Sequence, residues 1–182
     1  MSALEKAWEI LERMGLIWPD GDEGKLRDAA KAWRAFAKDA EEVQGDTNHS
    51  AQRILEVNSG EGVDAFETFW SRYVGRGEKG WLRSLPEAAR DMAKMLDELA
   101  DDIDGTKKQI RSEIVGSAAV IAAGIVLTGP TLGASDAAAA AAATGIVTLS
   151  IEKSTSLATR AAALVARIAR GAVFAGVSSV AM

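Results

Sequence analysis

The chain has 182 residues, of which 48% are hydrophobic but only 5% aromatic, so its apolar bulk is carried by Ala, Val, Leu and Ile. This length holds one domain with a sizeable core or two small ones, and the composition fits close-packed helices better than a sheet. With no cysteine, disulfides, thiolate metal sites and a cysteine nucleophile are excluded, and the net charge of −5 argues against nucleic acid as a partner, because phosphate binding needs a basic surface.

The acid is unevenly spread. Residues 114–182 hold Asp136 and Glu152 against Lys153, Arg160, Arg167 and Arg170, so the whole acidic excess lies in the first 113 residues. The chain reads as a polar acidic part followed by an apolar, weakly basic one. Its first residues carry Glu5, Lys6, Glu9, Glu12 and Arg13 where a cleavable signal peptide needs an apolar run. Any export is expected to be signal-peptide independent.

Leu4, Trp8, Leu11 and Met14 recur at helical spacing and predict a short amphipathic helix over 3–14, ending at Gly15. Pro19 and Gly21 then mark a turn, with Asp20 or Asp22 available to cap the next helix. From Lys25, Leu26, Trp33, Ala40, Thr47 and Ile54 are seven apart, with Ala30, Ala37, Val43 and Ala51 placed in the same stripe. This predicts one helix of about thirty residues with a coiled-coil-like seam. Gly45 to Ser50 is rich in poor helix formers, so a bend or fraying is expected there.

Asn58-Ser59-Gly60-Glu61-Gly62 breaks this helix, and Phe66, Phe69, Trp70 and Tyr73 line the next one. Two helices joined so closely are expected to pack as an antiparallel hairpin. After a second break at Gly75 to Gly80, Trp81, Leu85, Ala88, Met92, Met95, Leu96 and Leu99 mark another amphipathic helix, with Pro86 tolerated near its start. Ile114 to Ser135 then carries no charge, nor does Ala137 to Ile151, and Gly129-Pro130 lies between the two apolar stretches. They predict an Ala/Gly-rich apolar hairpin, with a membrane-inserting or pore-forming role for 114–151 as the alternative function. A last helix would set Arg160, Arg167 and Arg170 on one face and Leu157, Leu164, Ile168 and Val173 on the other.

Few residues invite chemistry. Asp20 to Gly24 begins like a calcium loop but lacks the glycine at its sixth position and the glutamate at its twelfth, so a turn with a helix cap is the better reading. His49, the only histidine, stands in a polar stretch without partners for a triad or metal site. Asp101, Asp102 and Asp104 read as a solvated helix end. No catalytic, cofactor or metal residue is expected. The informative residues are aromatic: Trp33 and Phe36 on one arm of the hairpin, and Phe66, Phe69, Trp70 and Tyr73 on the other. They serve as core or as a partner face, and on both readings truncating Trp33 to Ala is expected to cost about 3 to 5 kcal/mol.

Leu16-Ile17-Trp18-Pro19-Asp20-Gly21-Asp22-Glu23, then Leu26, Ala30, Trp33 and Phe36, then Asn58-Ser59-Gly60-Glu61-Gly62 and Ala65-Phe66-Glu67-Thr68-Phe69-Trp70, together resemble the WXG-like N-terminal domain of actinobacterial type VII secretion effectors, the polymorphic toxins and channel-type effectors. Leu132-Gly133-Ala134-Ser135-Asp136 before an alanine run is similar to the segment that follows that domain. The family's turn reads Trp-x-Gly. Here Asn58 stands in the Trp place while Gly60 is kept. The family's export signal, a Tyr followed four positions later by Asp or Glu, is not evident: Tyr73 is followed at that distance by Gly77.

The resemblance implies an all-α fold with two parts: a WXG-like helical domain over 1–104, then an Ala-rich apolar helical segment over 105–182. It also implies a non-enzymatic trafficking module, exported to the envelope or medium. Its partners would be a helical WXG-type protein or another copy of itself, and the type VII secretion machinery. Asn58, Ser59 and Gly60 would form the hairpin turn. Trp18, Leu26, Trp33, Phe36, Phe66, Phe69, Trp70 and Tyr73 would form the packing or partner face. Any toxin activity of a longer parent would lie outside these residues.

Overall fold

The computed structural model describes residues 1–74, 80–126 and 134–178, with side chains at 1–74, 80, 82, 84–124 and 137–168. Among these residues the chain is all-α: α1 (Ala3–Arg13), α2 (Glu23–Val57), α3 (Glu61–Val74), α4 (Trp81–Val126) and α5 (Ala134–Ser178). They divide into two compact units, a terminal unit of Met1–Glu23 with Leu99–Met182 and a central unit of Gly24–Glu98.

In the terminal unit, α1 opens on a reciprocal cap. Ser2 Oγ accepts from the Glu5 amide at 3.2 Å, and the Ser2 amide donates to the Glu5 carboxylate at 2.6 Å, satisfying two amides that the first turn leaves without helical partners. The helix stops where Gly15 takes φ +93°. Leu11, from α1, lies in one apolar cluster with Ile110, Ile114 and Ile121 of α4 and Ile146 and Val147 of α5, while Trp8, Leu16 and Trp18 pack against it. Leu11, Ile110, Ile114 and Ile121 are fully buried, and each such side chain stabilises the fold by about 1.5 to 3 kcal/mol.

α4 runs on past Leu99 to Val126, so residues 104 and 105 lie inside one 46-residue helix. The reason is that burial recurs at steps of three and four from Pro86 through Ala93, Ala100, Ile103, Ile110, Ile114 and Ile121, and the charges between them occupy other faces. In the same way α5 runs unbroken past Glu152, joining the alanine run to the arginine-bearing segment. Gly129-Pro130 and the break over 75–79 lie outside the described residues. No helix among the described residues is long and apolar enough to cross a membrane. The side chains that a membrane role would turn to lipid, Ile114, Ile121, Ile146 and Val147, are packed in the core.

The central unit consists of α2 from Gly24, α3, and α4 as far as Glu98. Its buried side chains are mostly small: Ala30, Ala37, Ala51, Ala89 and Ala93, with Leu96 and Pro86. Contrary to the expected fraying, α2 is continuous over Gly45 to Ser50. Two of the poor formers are satisfied within the helix, Thr47 Oγ1 donating to the Val43 carbonyl at 2.6 Å and Ser50 Oγ to the Asp46 carbonyl at 3.0 Å.

Candidate helix-docking face

α2 carries two apolar stripes, and only one of them is used by its own unit. The inward stripe consists of Ala30, Ala37 and Ala51, which are buried, with Arg34, Glu41 and Asn48 at the intervening steps. Those three polar residues meet the neighbouring helices. Arg34 pairs with Asp97 of α4, and Glu41 with Arg90 of α4. The hydrogen bond from Arg90 holds the Glu41 carboxyl below its ordinary range, and the same bond raises the Arg90 guanidinium. Both pairs are about half exposed and therefore salt-screened, so they fix the register of α2 on α4 more than they add stability. On the other side Trp70 Nε1 donates to Asn48 Oδ1 at 3.1 Å, tying α3 to α2.

The outward stripe is Trp33, Phe36, Ala40, Val43, Thr47, Ser50, Ile54 and Val57, spaced alternately three and four apart. That spacing is the a/d pattern with which helices zip together. Its large members are exposed: Trp33 37%, Phe36 44%, Val43 65%, Ile54 47% and Val57 79%. Trp33 and Phe36 meet edge to face, 5.9 Å between ring centroids, and so form one apolar ledge. The sequence reading put Val43 in one stripe with the buried alanines; the structure separates the two. Trp33 is also less committed to the core than expected, and the cost of Trp33→Ala falls to about 1 to 2 kcal/mol, since only its buried part is lost.

The other candidate residues are distributed as follows. Leu26 is half-buried at the start of α2. On α3, Phe66 stacks on Trp70 at 6.3 Å, and Phe69, 46% exposed, tilts against Tyr73 at 4.8 Å. Trp18 belongs to the terminal unit, where it meets Trp8 edge-on at 5.3 Å. Between α2 and α3, Asn58 Nδ2 donates to the Ile54 carbonyl at 2.8 Å, and Gly60, with φ +117°, accepts from the Val63 amide at 2.9 Å and the Asp64 amide at 3.1 Å to start α3. At +117° a side chain would be strained, which is why glycine stands there.

Sequence reasoning missed the fixing of the stretch before α2. The fully buried Ser150 accepts from the Ile17 amide at 3.1 Å and donates to the Val147 carbonyl at 2.8 Å. Lys107 donates to the Gly21 carbonyl at 2.7 Å and to Glu23, whose carboxyl is lowered chiefly by that hydrogen bond. Nothing in the spacing of Ser150 or Lys107 distinguishes them from their neighbours.

Chemically, the central unit offers one polar cleft of about 410 Å³ lined by Glu41, Gln44, Asn48, Glu87 and Arg90, whose charges are already matched in part by the Glu41–Arg90 pair. Among the described residues no cluster of three His, Asp or Glu side chains is placed to hold a metal ion. His49 is exposed.

No curated protein and no solved structure matched this chain. A family model described as a WXG100 like domain matches residues 4–149, which takes in α1 to α4 and the first part of α5. With four of the five helices and both stripes of α2 inside the matched span, the chain belongs to the WXG100-like family.

Proposed function

We propose that this chain is a non-enzymatic module of a type VII secretion system that docks a partner helix on the outward stripe of α2, the assembled bundle being what the export machinery takes up. The family supports the general class, since WXG100-like proteins are typically secreted helical proteins without enzymatic activity and commonly pair with one another. The observation that carries the reading for this chain is the exposed a/d stripe from Trp33 to Val57. A helix that turns Trp, Phe, Ile and Val outward at coiled-coil spacing has a second surface to cover. The partner is a helical protein of WXG type or another copy of this chain. Placement as part of an actinobacterial polymorphic toxin or channel-type effector rests on the likeness of the segments from Leu16 to Glu23 and from Asn58 to Trp70.

Export is tested in the native host by immunoblotting culture filtrate with and without a working secretion ATPase. The wild-type chain should depend on the ATPase, and Phe36→Asp and Val43→Asp should lower its export while circular dichroism stays unchanged. Normal export of both variants sinks the reading.

A further inference from the structure

The turn between α1 and α2 is fastened to the terminal unit near both ends. The Ile17 amide donates to Ser150 Oγ at 3.1 Å, and the Gly21 carbonyl accepts from Lys107 at 2.7 Å. Gly21 also lies so close to α4 that a Cβ there would overlap the Ile103 side chain. Between the two fastenings the turn borders a trough of about 280 Å³, edged by Ile17, Trp18 and Pro19 and walled by Leu99 and Ile103 of α4 and Leu157 of α5. Every one of these residues belongs to the terminal unit.

Three features point to a ligand. The lining is largely apolar, yet Ile17 remains 44% exposed, so apolar surface is left in water. Ser154, on the α5 wall, holds the one buried side-chain oxygen among the described residues that has no hydrogen-bond partner, and such an atom calls for one. Asp20, also in the lining, is exposed, and its carboxylate is held in no ion pair or hydrogen bond among the described residues.

These features set the chemistry of the occupant. The volume lies just below the roughly 300 to 1,000 Å³ of sites for drug-sized molecules, which leaves room for a single ring with a short chain. Apolar walls and the Trp18 indole suit a ring rather than a sugar or a phosphate. Asp20 repels an anion and attracts a cation, and an indole favours a cation as well.

We infer that this trough binds a small arylalkylamine, its aromatic ring among Trp18, Leu99 and Leu157 and its ammonium on Asp20. The site shares no residue with the stripe on α2 and goes beyond the docking reading.

Titration of the full chain with phenethylamine, followed at the Trp18 indole N–H resonance, tests it. That resonance, identified by its loss in Trp18→Phe, should move with a Kd on the order of 0.1 to 1 mM, as suits a ligand of so few atoms. Phenethyl alcohol, the same body without the charge, should bind about two- to fivefold more weakly at low salt, and phenylacetate more weakly still. Asp20→Asn should remove the preference for the amine and leave binding of the alcohol unchanged. Ala161→Phe, and Ala158→Phe at an exposed position on the same wall, should each abolish binding of both compounds by filling the trough, with circular dichroism unchanged. A Trp18 resonance that stays put up to about 10 mM amine overturns the inference. So does an alcohol or acid that binds as tightly as the amine, a preference for the amine that survives Asp20→Asn, or binding that persists in both alanine variants.

Discussion

The two units build their cores from different residues. The terminal unit, although it leaves Val115, Ile151 and Val165 exposed, has Leu11, Ile110, Ile114 and Ile121 fully buried. The central unit buries alanines and leaves Trp33, Phe36, Val43 and Ile54 in water. Since hydrophobic stabilisation scales with apolar area removed from water, the first unit is held mainly by its own core. In the second, small residues let helices approach closely, and ion pairs fix their register, while much of the apolar area is still unspent. The contrast teaches that hydrophobic content and core are different quantities, and that the surplus of one over the other locates a binding face.

Substitutions can break or sharpen this contrast. The largest effect belongs to the terminal core: Ile114→Ala should lower stability by about 3 kcal/mol in urea unfolding, because neighbouring isoleucines cannot collapse into the space. In the central unit the damaging change is the opposite one. Ala37→Leu should cost about 2 kcal/mol by wedging apart helices that meet across a fully buried methyl. If Ala37→Leu proved neutral in the same assay, the alanine stripe would not be a packed interface.

A smaller effect depends on pH. Glu23 has a lowered carboxyl pKa because Lys107 donates to it, so their pairing contributes fully above the ordinary glutamate range and is lost as pH falls through the lowered value. Lys107→Met should therefore destabilise more at pH 7 than at pH 3. A residual difference should remain at pH 3, because the Lys107 bond to the Gly21 carbonyl does not titrate in acid. Equal differences at both pH values would show that the carboxylate plays no part. The smallest expected change is at Phe36→Asp, about 1 kcal/mol on stability, since only the buried part of its ring is lost. A loss above about 2 kcal/mol would mean that the outward stripe is core after all.

Much of this was readable from residue spacing, and what was not has identifiable causes. Hairpin arms and their break at Asn58 to Gly62 follow from periodicity and turn chemistry, and the same grounds mark Trp33 and Phe36 as candidates. The error lay in merging two heptads. Ala30, Ala37 and Ala51 alternate with Trp33, Val43 and Ile54 along the same helix, and a pattern that scores only apolar against polar does not separate faces on the order of 100° apart. The residues between Asp101 and Glu113 look like the end of a helix by charge, yet Ile103, Thr106 and Ile110 keep the buried step, and this carries α4 onward. The Ser2 to Glu5 cap had its signature in plain sight. Ser150 did not: a single hydroxyl on an alanine-rich helix gains its role from a backbone amide 133 positions away.

That last bond gives the stretch before α2 an unusual property. Amide protons outside helices ordinarily exchange with solvent within seconds, whereas the Ile17 proton, held by the Ser150 hydroxyl, is released only when α5 lifts away. Its exchange rate in deuterated buffer is a built-in clock for the closure of the terminal unit, read from one resonance.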